Sequence, residues 1–532
     1  MIFSSFFRIR VTTGIALLVL LCAGHTVAQS YTIAGVAVSA TSGLPLSGTA
    51  VRLAAQSSGA TLGTRITGKD GGFRFEPLAA GKYQLRGMRR GFLPTEYEQH
   101  GDFSSAVVTG PAQETMHLLL RMAPEAELHG VVTGEESEPV EGATVMLFRC
   151  PDPHQPGRKI EMLDTVKADD TGAYVFSHLR PGEYRLTVKG EPWFAVPRTS
   201  STSGTRALDL AYPLTYFDGA TSEVTAAPIL LEAGSREQAD VRLQALPALR
   251  IAISKARDHK NSSALLRQSA FGFQLPDDAS TALAAETPGA TVYSHIAPGR
   301  YDFVADGHIL AVDAASDLAV DPATGTPAAN LTGTVESAPG VEMKDLALLT
   351  LEPAQAGSDR ASHTVLVQDG HFSAENIPAG PWRLKLENGY GHALTIASVA
   401  QNGKSRAGNL LPLGGGTVTL TVRASLGTQT IEGFVRSEGK TAAGTMVVLV
   451  PDDLTQHPQR ARRDQTDSDG SFLLRDVVPG RYTVIAIEQG WTLDWENPAT
   501  IARYLPAGQR VTVQGGSGQT IRLPAPVASQ PL

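Results

Sequence analysis

One short turn recurs five times along this chain, and nothing else in the sequence constrains its fold as much. The copies are Ala80-Gly81-Lys82-Tyr83, Pro181-Gly182-Glu183-Tyr184, Pro298-Gly299-Arg300-Tyr301, Ala379-Gly380-Pro381-Trp382 and Pro479-Gly480-Arg481-Tyr482. Their glycines lie 101, 117, 81 and 100 positions apart, well beyond the period of about 20–50 residues of a solenoid repeat. Each unit is therefore long enough to be a domain with its own core. Proline sets the first corner, glycine reads as the positive-φ position of a type II turn, and the aromatic opens a strand. In Tyr83-Gln84-Leu85-Arg86 and Tyr184-Arg185-Leu186-Thr187-Val188 apolar residues alternate, which predicts one buried and one wet face.

A second signal precedes the turn by about ten residues. Asp-Gly followed by alternation marks a tight hairpin, as in Asp70-Gly71-Gly72-Phe73 and Asp469-Gly470-Ser471-Phe472. The second copy keeps it as Asp170-Thr171-Gly172-Ala173-Tyr174 and the fourth as Asp369-Gly370-His371-Phe372, whereas the third has lost it. Most units also begin with a Gly-bearing strand, such as Ile33-Ala34-Gly35-Val36, Leu128-His129-Gly130-Val131 or Ile431-Glu432-Gly433-Phe434. A further strand follows in Pro45 to Leu53 and Pro139 to Leu147, where Gly48 and Gly142 mark a bulge or bend. Short strands and frequent turns make the class all-β: tandem sandwiches, about five in a row.

The order of Gly strand, Pro-x-x-Gly strand, Asp-Gly hairpin and Pro-Gly-x-Tyr strand resembles the carboxypeptidase regulatory-like domain. The residues that carry the resemblance are Asp70, Gly71, Gly81 and Tyr83 in the first unit, Gly172, Gly182 and Tyr184 in the second, and Asp469, Gly470, Gly480 and Tyr482 in the fifth. It implies a transthyretin-like β-sandwich, similar also to starch-binding-like modules. In that family the module accompanies a zinc carboxypeptidase or an outer-membrane barrel without doing the chemistry. The resemblance thus implies a binding or accessory role, with glycan contact as one form of it.

The ends set the compartment. Arg8 and Arg10 precede an apolar run from Val11 to Cys22 and small residues ending at Thr26-Val27-Ala28, the layout of a secretory signal peptide. Leu21 before Cys22 is too large for lipoprotein processing. No later stretch has the roughly 20 apolar residues of a membrane helix, so the mature chain is expected to lack a transmembrane segment. The exported chain would be periplasmic, outer-surface or extracellular. Removal of the leader takes two of 45 basic residues and no acid, leaving 43 against 53. That acidic balance argues against a nucleic-acid partner. Only Cys150 remains, so no intramolecular disulfide forms, and its place at the end of a predicted strand reads as structural.

The sequence offers little chemistry. None of the 13 histidines has Glu three positions on, so a zinc carboxypeptidase pair and His-Glu-x-x-His are missing. There is no Gly-x-Ser-x-Gly elbow and no P-loop. Ser437-Glu438-Gly439-Lys440 matches Ser-x-x-Lys but lies in a predicted hairpin. Asp467 and Asp469 resemble the start of a calcium loop, though without its bidentate Glu. No catalytic residue and no cofactor is therefore expected. Two aromatic clusters follow Pro-Gly-x-Tyr strands: Trp193 with Tyr212, Tyr216 and Phe217, and Trp491 with Trp495 and Tyr504. Exposed, such rings stack on sugars; enclosed, they cap the cores.

Boundaries placed between these patterns give a signal peptide at 1–28 and sandwiches at 29–122, 123–245, 246–325, 326–424 and 425–526, followed by a tail at 527–532. The second sandwich carries a long loop; the third and fourth are degenerate. Short linkers near Ala123-Pro124 and Leu246-Pro247 predict a semi-rigid rod. The expected function is that of a non-catalytic exported scaffold contacting polysaccharide or envelope protein. The alternatives are an accessory protein of a peptidase system or an unrecognised hydrolase.

Overall fold

The computed structural model describes residues 30–532 except 151–159, 197–207, 255–264, 276–282, 338–346, 356–359, 389–392 and 515–517 and positions 288, 306, 426, 428 and 456. The expected signal peptide lies outside the described residues. Within them the chain is five β-sandwiches built to one plan, each with its own apolar core. No helix among the described residues is long and apolar enough to cross a membrane.

The plan is clearest in the first unit. The opening strand, Tyr31–Ser39, lies between Gly72–Leu78, antiparallel to it, and Leu118–Met122, parallel to it. The facing sheet runs Thr61–Ile66, Ala50–Ala55, Gly81–Met88, with Thr95–Glu96 and Val107–Thr109 beyond. The parallel return strand explains the glycine of the opening strand. A Cβ on Gly35 would meet the carbonyl of Leu118, and on Gly130 that of Ala239 in the second unit. Only glycine lets the two backbones approach so closely.

The recurring turn has a physical basis that is the same in every copy. The tyrosine hydroxyl donates to the carbonyl four residues earlier: Tyr83 to Ala79 at 2.8 Å, Tyr184 to Arg180 at 2.6 Å, Tyr301 to Ala297 at 2.8 Å and Tyr482 to Val478 at 2.8 Å. In the fourth unit Trp382 Nε1 donates to the Pro378 carbonyl at 2.8 Å. The ring fills the core while its polar tip closes the turn, so a tryptophan can stand in. The glycine does take a positive φ in three copies, 148–157° at Gly182, Gly299 and Gly380, but far from the roughly 80° of the expected type II turn. The left-handed residue lies four positions before the glycine, at His178, His295, Asn376 and Asp476, with φ of 55–62°. Those residues form a bulge that shifts register as the preceding strand ends, and the glycine opens the next strand.

The third unit is a reduced version. Its first sheet orders Leu283–Thr287, Ala290–Ile296, Leu249–Ser254, Leu318–Val320. In its second sheet Leu265–Arg267 pairs with Gly299–Ala305 as Ala50–Ala55 pairs with Gly81–Met88 in the first unit, and among the described residues no outer strand pairs with its other edge. Its hairpin survives without Asp-Gly, turning at Gly289, φ 89°. The expected tail is also structured. Val527–Gln530 adds a parallel strand beside Val435 and Ala486, and Val527 is buried. Four residues behind two prolines carry too little alternation to read as a strand.

The five units do not form a rod. Each joins the next through more than a linker: Phe92 bridges Pro124, and Leu210–Ala211 pairs with Leu246–Pro247, making the second expected linker part of a sheet. A buried His295–Asp209 contact of 2.9 Å ties the third unit to the second. Thr326–Ser337 of the fourth continues the sheet of the third beside His308–Ala314. Arg462 of the fifth donates to Thr395 Oγ1 of the fourth at 2.9 Å. The fifth then packs on the first, closing a circuit of contacts. A composition-based linker reading cannot see this, because polar contacts 360 or more positions apart leave no local pattern.

Candidate functional site

The two aromatic clusters fare differently from a stacking platform. Trp193 is 81% exposed and meets Phe194 edge-on at 5.7 Å. Tyr212 and Tyr216 are buried, and Phe217 packs partly buried on the second core. Burial and the nearby charge of Glu138 push the Tyr212 phenol up to about 12. Tyr216 faces Phe271 of the third sandwich at 5.4 Å, in an apolar seam with Phe148 and Leu214. The first cluster thus divides between two cores and one exposed ring.

The second cluster lies at the junction of the fifth and first sandwiches. Tyr504 is buried, and Trp491 and Trp495 are half-buried against the Met446 and Ile485 face. Trp491 stacks on His100 of the first sandwich at 5.0 Å and 7°, with Phe103 at 5.4 Å. Arg463 is sandwiched among Phe103, Trp491 and Trp495, 4.8–5.4 Å from their ring centres. These faces already hold protein partners, the arrangement in which cation–π contacts are strongest.

The calcium-like turn belongs to the same junction. Lys82 Nζ lies 2.5 Å from Asp467 Oδ2 and 2.8 Å from Ser471 Oγ. The other Asp467 oxygen accepts from Ala106 N at 2.8 Å, and Ser468 Oγ accepts from Val108 N at 2.8 Å. Asp469 turns back to Ser471, accepting from its N and Oγ. An ammonium therefore stands where a calcium ion would, and the two carboxylates point to different partners. The turn caps an edge of the first sandwich; it does not gather oxygen ligands. Among the described residues no group of three or more His, Cys, Asp or Glu is placed to hold a metal. Beside the turn, burial raises the Asp464 carboxyl to about 6.

Cys150 is half-buried at the end of strand Thr144–Cys150. Ser437 and Lys440 face each other across a two-residue hairpin, so the Ser-x-x-Lys match is a turn.

Sequence reasoning missed a cleft between the sandwiches. A cleft of about 590 Å³ opens where the second, third and fourth sandwiches meet. Its floor is the outer face of the third, with Arg267, Arg300, Asp302 and Asp313. One wall is the Ser222–Val224 loop of the second sandwich; the other is Arg360, His363 and Asn376 of the fourth. Glu223 Oε2 accepts from Phe271 N at 2.8 Å, which ties the first wall to the third sandwich, and Arg360 Nη1 donates to Ala379 O at 2.7 Å, which holds its side chain within the fourth. Burial, assisted by the Arg267 charge, lowers the His363 imidazole to about 4, leaving it neutral at physiological pH. Burial raises the Asp302 carboxyl. These residues come from three units, and no spacing in the sequence joins them. Mixed donors and acceptors in an enclosed cleft of this size suit binding of a polar ligand.

Comparison with known proteins agrees with the module reading. Residues 32–117 match the carboxypeptidase regulatory-like domain, bearing out the resemblance in the first unit. Residues 429–502 match the family described as BOS complex subunit NOMO1-like, second beta sandwich domain. No curated protein matches the chain. Among solved structures, the chain is similar to the minor pilin GBS52 of Streptococcus agalactiae at 13% identity, covering 41% of this chain and 97% of that one, TM-score 0.20. It is similar to the shaft pilin SpaA of Lactobacillus rhamnosus GG at 11%, 41%, 98% and 0.20. A streptococcal ancillary pilin gives 10%, 74%, 99% and 0.16. At such scores these likenesses transfer no function.

Proposed function

We propose that this chain is an exported, non-catalytic binding scaffold of the cell envelope or exterior, contacting a polysaccharide or protein partner. The observation that carries the reading is the cleft of about 590 Å³ built jointly by three sandwiches. The circuit of contacts holds its walls in fixed relation, which lowers the ordering cost of binding. The regulatory-like module at 32–117 supports an accessory role. The leader-like first 28 residues support export.

The test is retention of the purified mature chain on cellulose, starch, xylan, chitin and peptidoglycan, with a cross-linking search for protein partners on the producing cells. Saturable retention or one specific cross-linked partner is expected, without release of reducing ends or peptides. Absence of both retention and a partner would overturn the reading. Steady product release would replace it with a hydrolase.

A further inference from the structure

The floor of the cleft carries a checkerboard of charge. Antiparallel pairing of Leu265–Arg267 with Gly299–Ala305 sets Arg267 opposite Asp302. Pairing of Gly299–Ala305 with His308–Ala314 sets Arg300 opposite Asp313 and Asp302 opposite Ala311. Opposed residues share a face, as do residues two apart on one strand, so all four charges point the same way into the cleft.

Cross-strand Arg–Asp pairs on an open sheet commonly close on each other as ion pairs. Here they do not: among the described residues, no ion pair or hydrogen bond engages any of these four side chains. Arg267 Nε is buried without an acceptor. A buried guanidinium N–H left open costs free energy unless water or a ligand fills it.

The sign pattern selects the ligand. Two guanidiniums and two carboxylates sum to zero, so an anion attracted by one pair is repelled by the other, and likewise a cation. A hydroxyl is donor and acceptor at once and suits every square of such a board. Around it Gln268, Ser269, Gln274 and Asn376 add uncharged groups of the same dual kind, and the neutral His363 adds another. We propose that the cleft binds a segment of an uncharged, hydroxyl-rich glycan, held by Arg267, Arg300, Asp302 and Asp313. This rests on the binding reading above and names its ligand class and its residues.

The test is calorimetric titration of the full mature chain with maltohexaose, cellohexaose, xylohexaose and chitohexaose, and with hexagalacturonate and hexaglutamate as charged controls. At least one neutral oligosaccharide should bind, with Kd changing less than about twofold between about 0.05 and 0.5 M NaCl, because no net charge is screened. Arg267→Met and Asp302→Asn should each weaken binding about tenfold or more. Ala311→Arg, at an exposed position of the same face, should block the cleft without touching a core and so separates site loss from misfolding. Trp193→Ala should bind as wild type. Failure of every neutral probe, salt-sensitive binding of either charged probe in their place, or neutral binding indifferent to all three cleft variants would overturn the inference. Retention on the insoluble panel that survives the cleft variants would sink the inference and leave the scaffold reading standing; absence of any retention or partner would remove both.

Discussion

Lys82 and Asp467 sit 385 positions apart in the chain and 2.5 Å apart in space. Their pairing joins the first sandwich to the fifth and turns a string of domains into a closed circuit. Asp467 is the more enclosed of the two, 10% exposed against 39% for Lys82, and also accepts from Ala106 N.

That asymmetry predicts unequal mutant costs. Asp467→Ala leaves the Ala106 N–H without its acceptor and the Lys82 ammonium with only Ser471 Oγ and solvent, and should cost about 1–3 kcal/mol. Lys82→Met should cost less than about 1 kcal/mol, since the ammonium is partly solvated. Denaturant melts compare the two, and hydrogen exchange at Ala106 and Val108 should speed up more in Asp467→Ala.

The aromatic tip of each turn predicts a second series. Tyr184→Phe and Tyr482→Phe keep the ring and lose the bond to Arg180 or Val478, which should cost about 1 kcal/mol each. In the fourth unit Trp382→Tyr retains a donor at the same place. It should be milder in thermal melts than Trp382→Phe, which strands the Pro378 carbonyl.

Glycines of the two kinds should also separate. Gly35→Ala and Gly130→Ala drive a Cβ into a neighbouring carbonyl and should cost several times more than Gly48→Ala. Gly48 has open space and only a left-handed φ of 75°, for which about 1 kcal/mol is the ordinary cost.

The junction carries a pH signature. Burial raises the Asp464 carboxyl to about 6, above its unfolded value near 3.8. The folded state therefore holds the proton more tightly. This contribution is fully present below pH about 3.8 and is lost as pH rises through about 6. Asp464→Asn should flatten that part of the stability profile, measured by urea midpoints across pH 4 to about 7; an unchanged profile would contradict the assignment.

Much of the fold was legible because its determinants are local. Alternation around Tyr184 or Tyr482 and the Asp-Gly hairpins at Gly71 and Gly470 report strand and turn directly. The turn's true geometry was not legible, since a left-handed His178 or His295 follows from the bulge that the paired strand imposes. The aromatics were ambiguous for a related reason: Trp193 and Trp491 occupy similar loop-like sequence, yet one faces solvent and the other faces His100. Burial of the second depends on a sandwich hundreds of residues away. The cleft was invisible, because Arg267, His363 and Glu223 meet only through the relative placement of three domains.

Small-angle X-ray scattering of the mature chain tests closure most directly. Five domains of about 13 Å radius of gyration laid end to end give about 50 Å overall, whereas the same five in a closed circuit give about 32 Å. The closed value is predicted for wild type, with an increase in a variant carrying Asp467→Arg and Trp491→Ala together. A wild-type value near that of the extended rod would contradict the account.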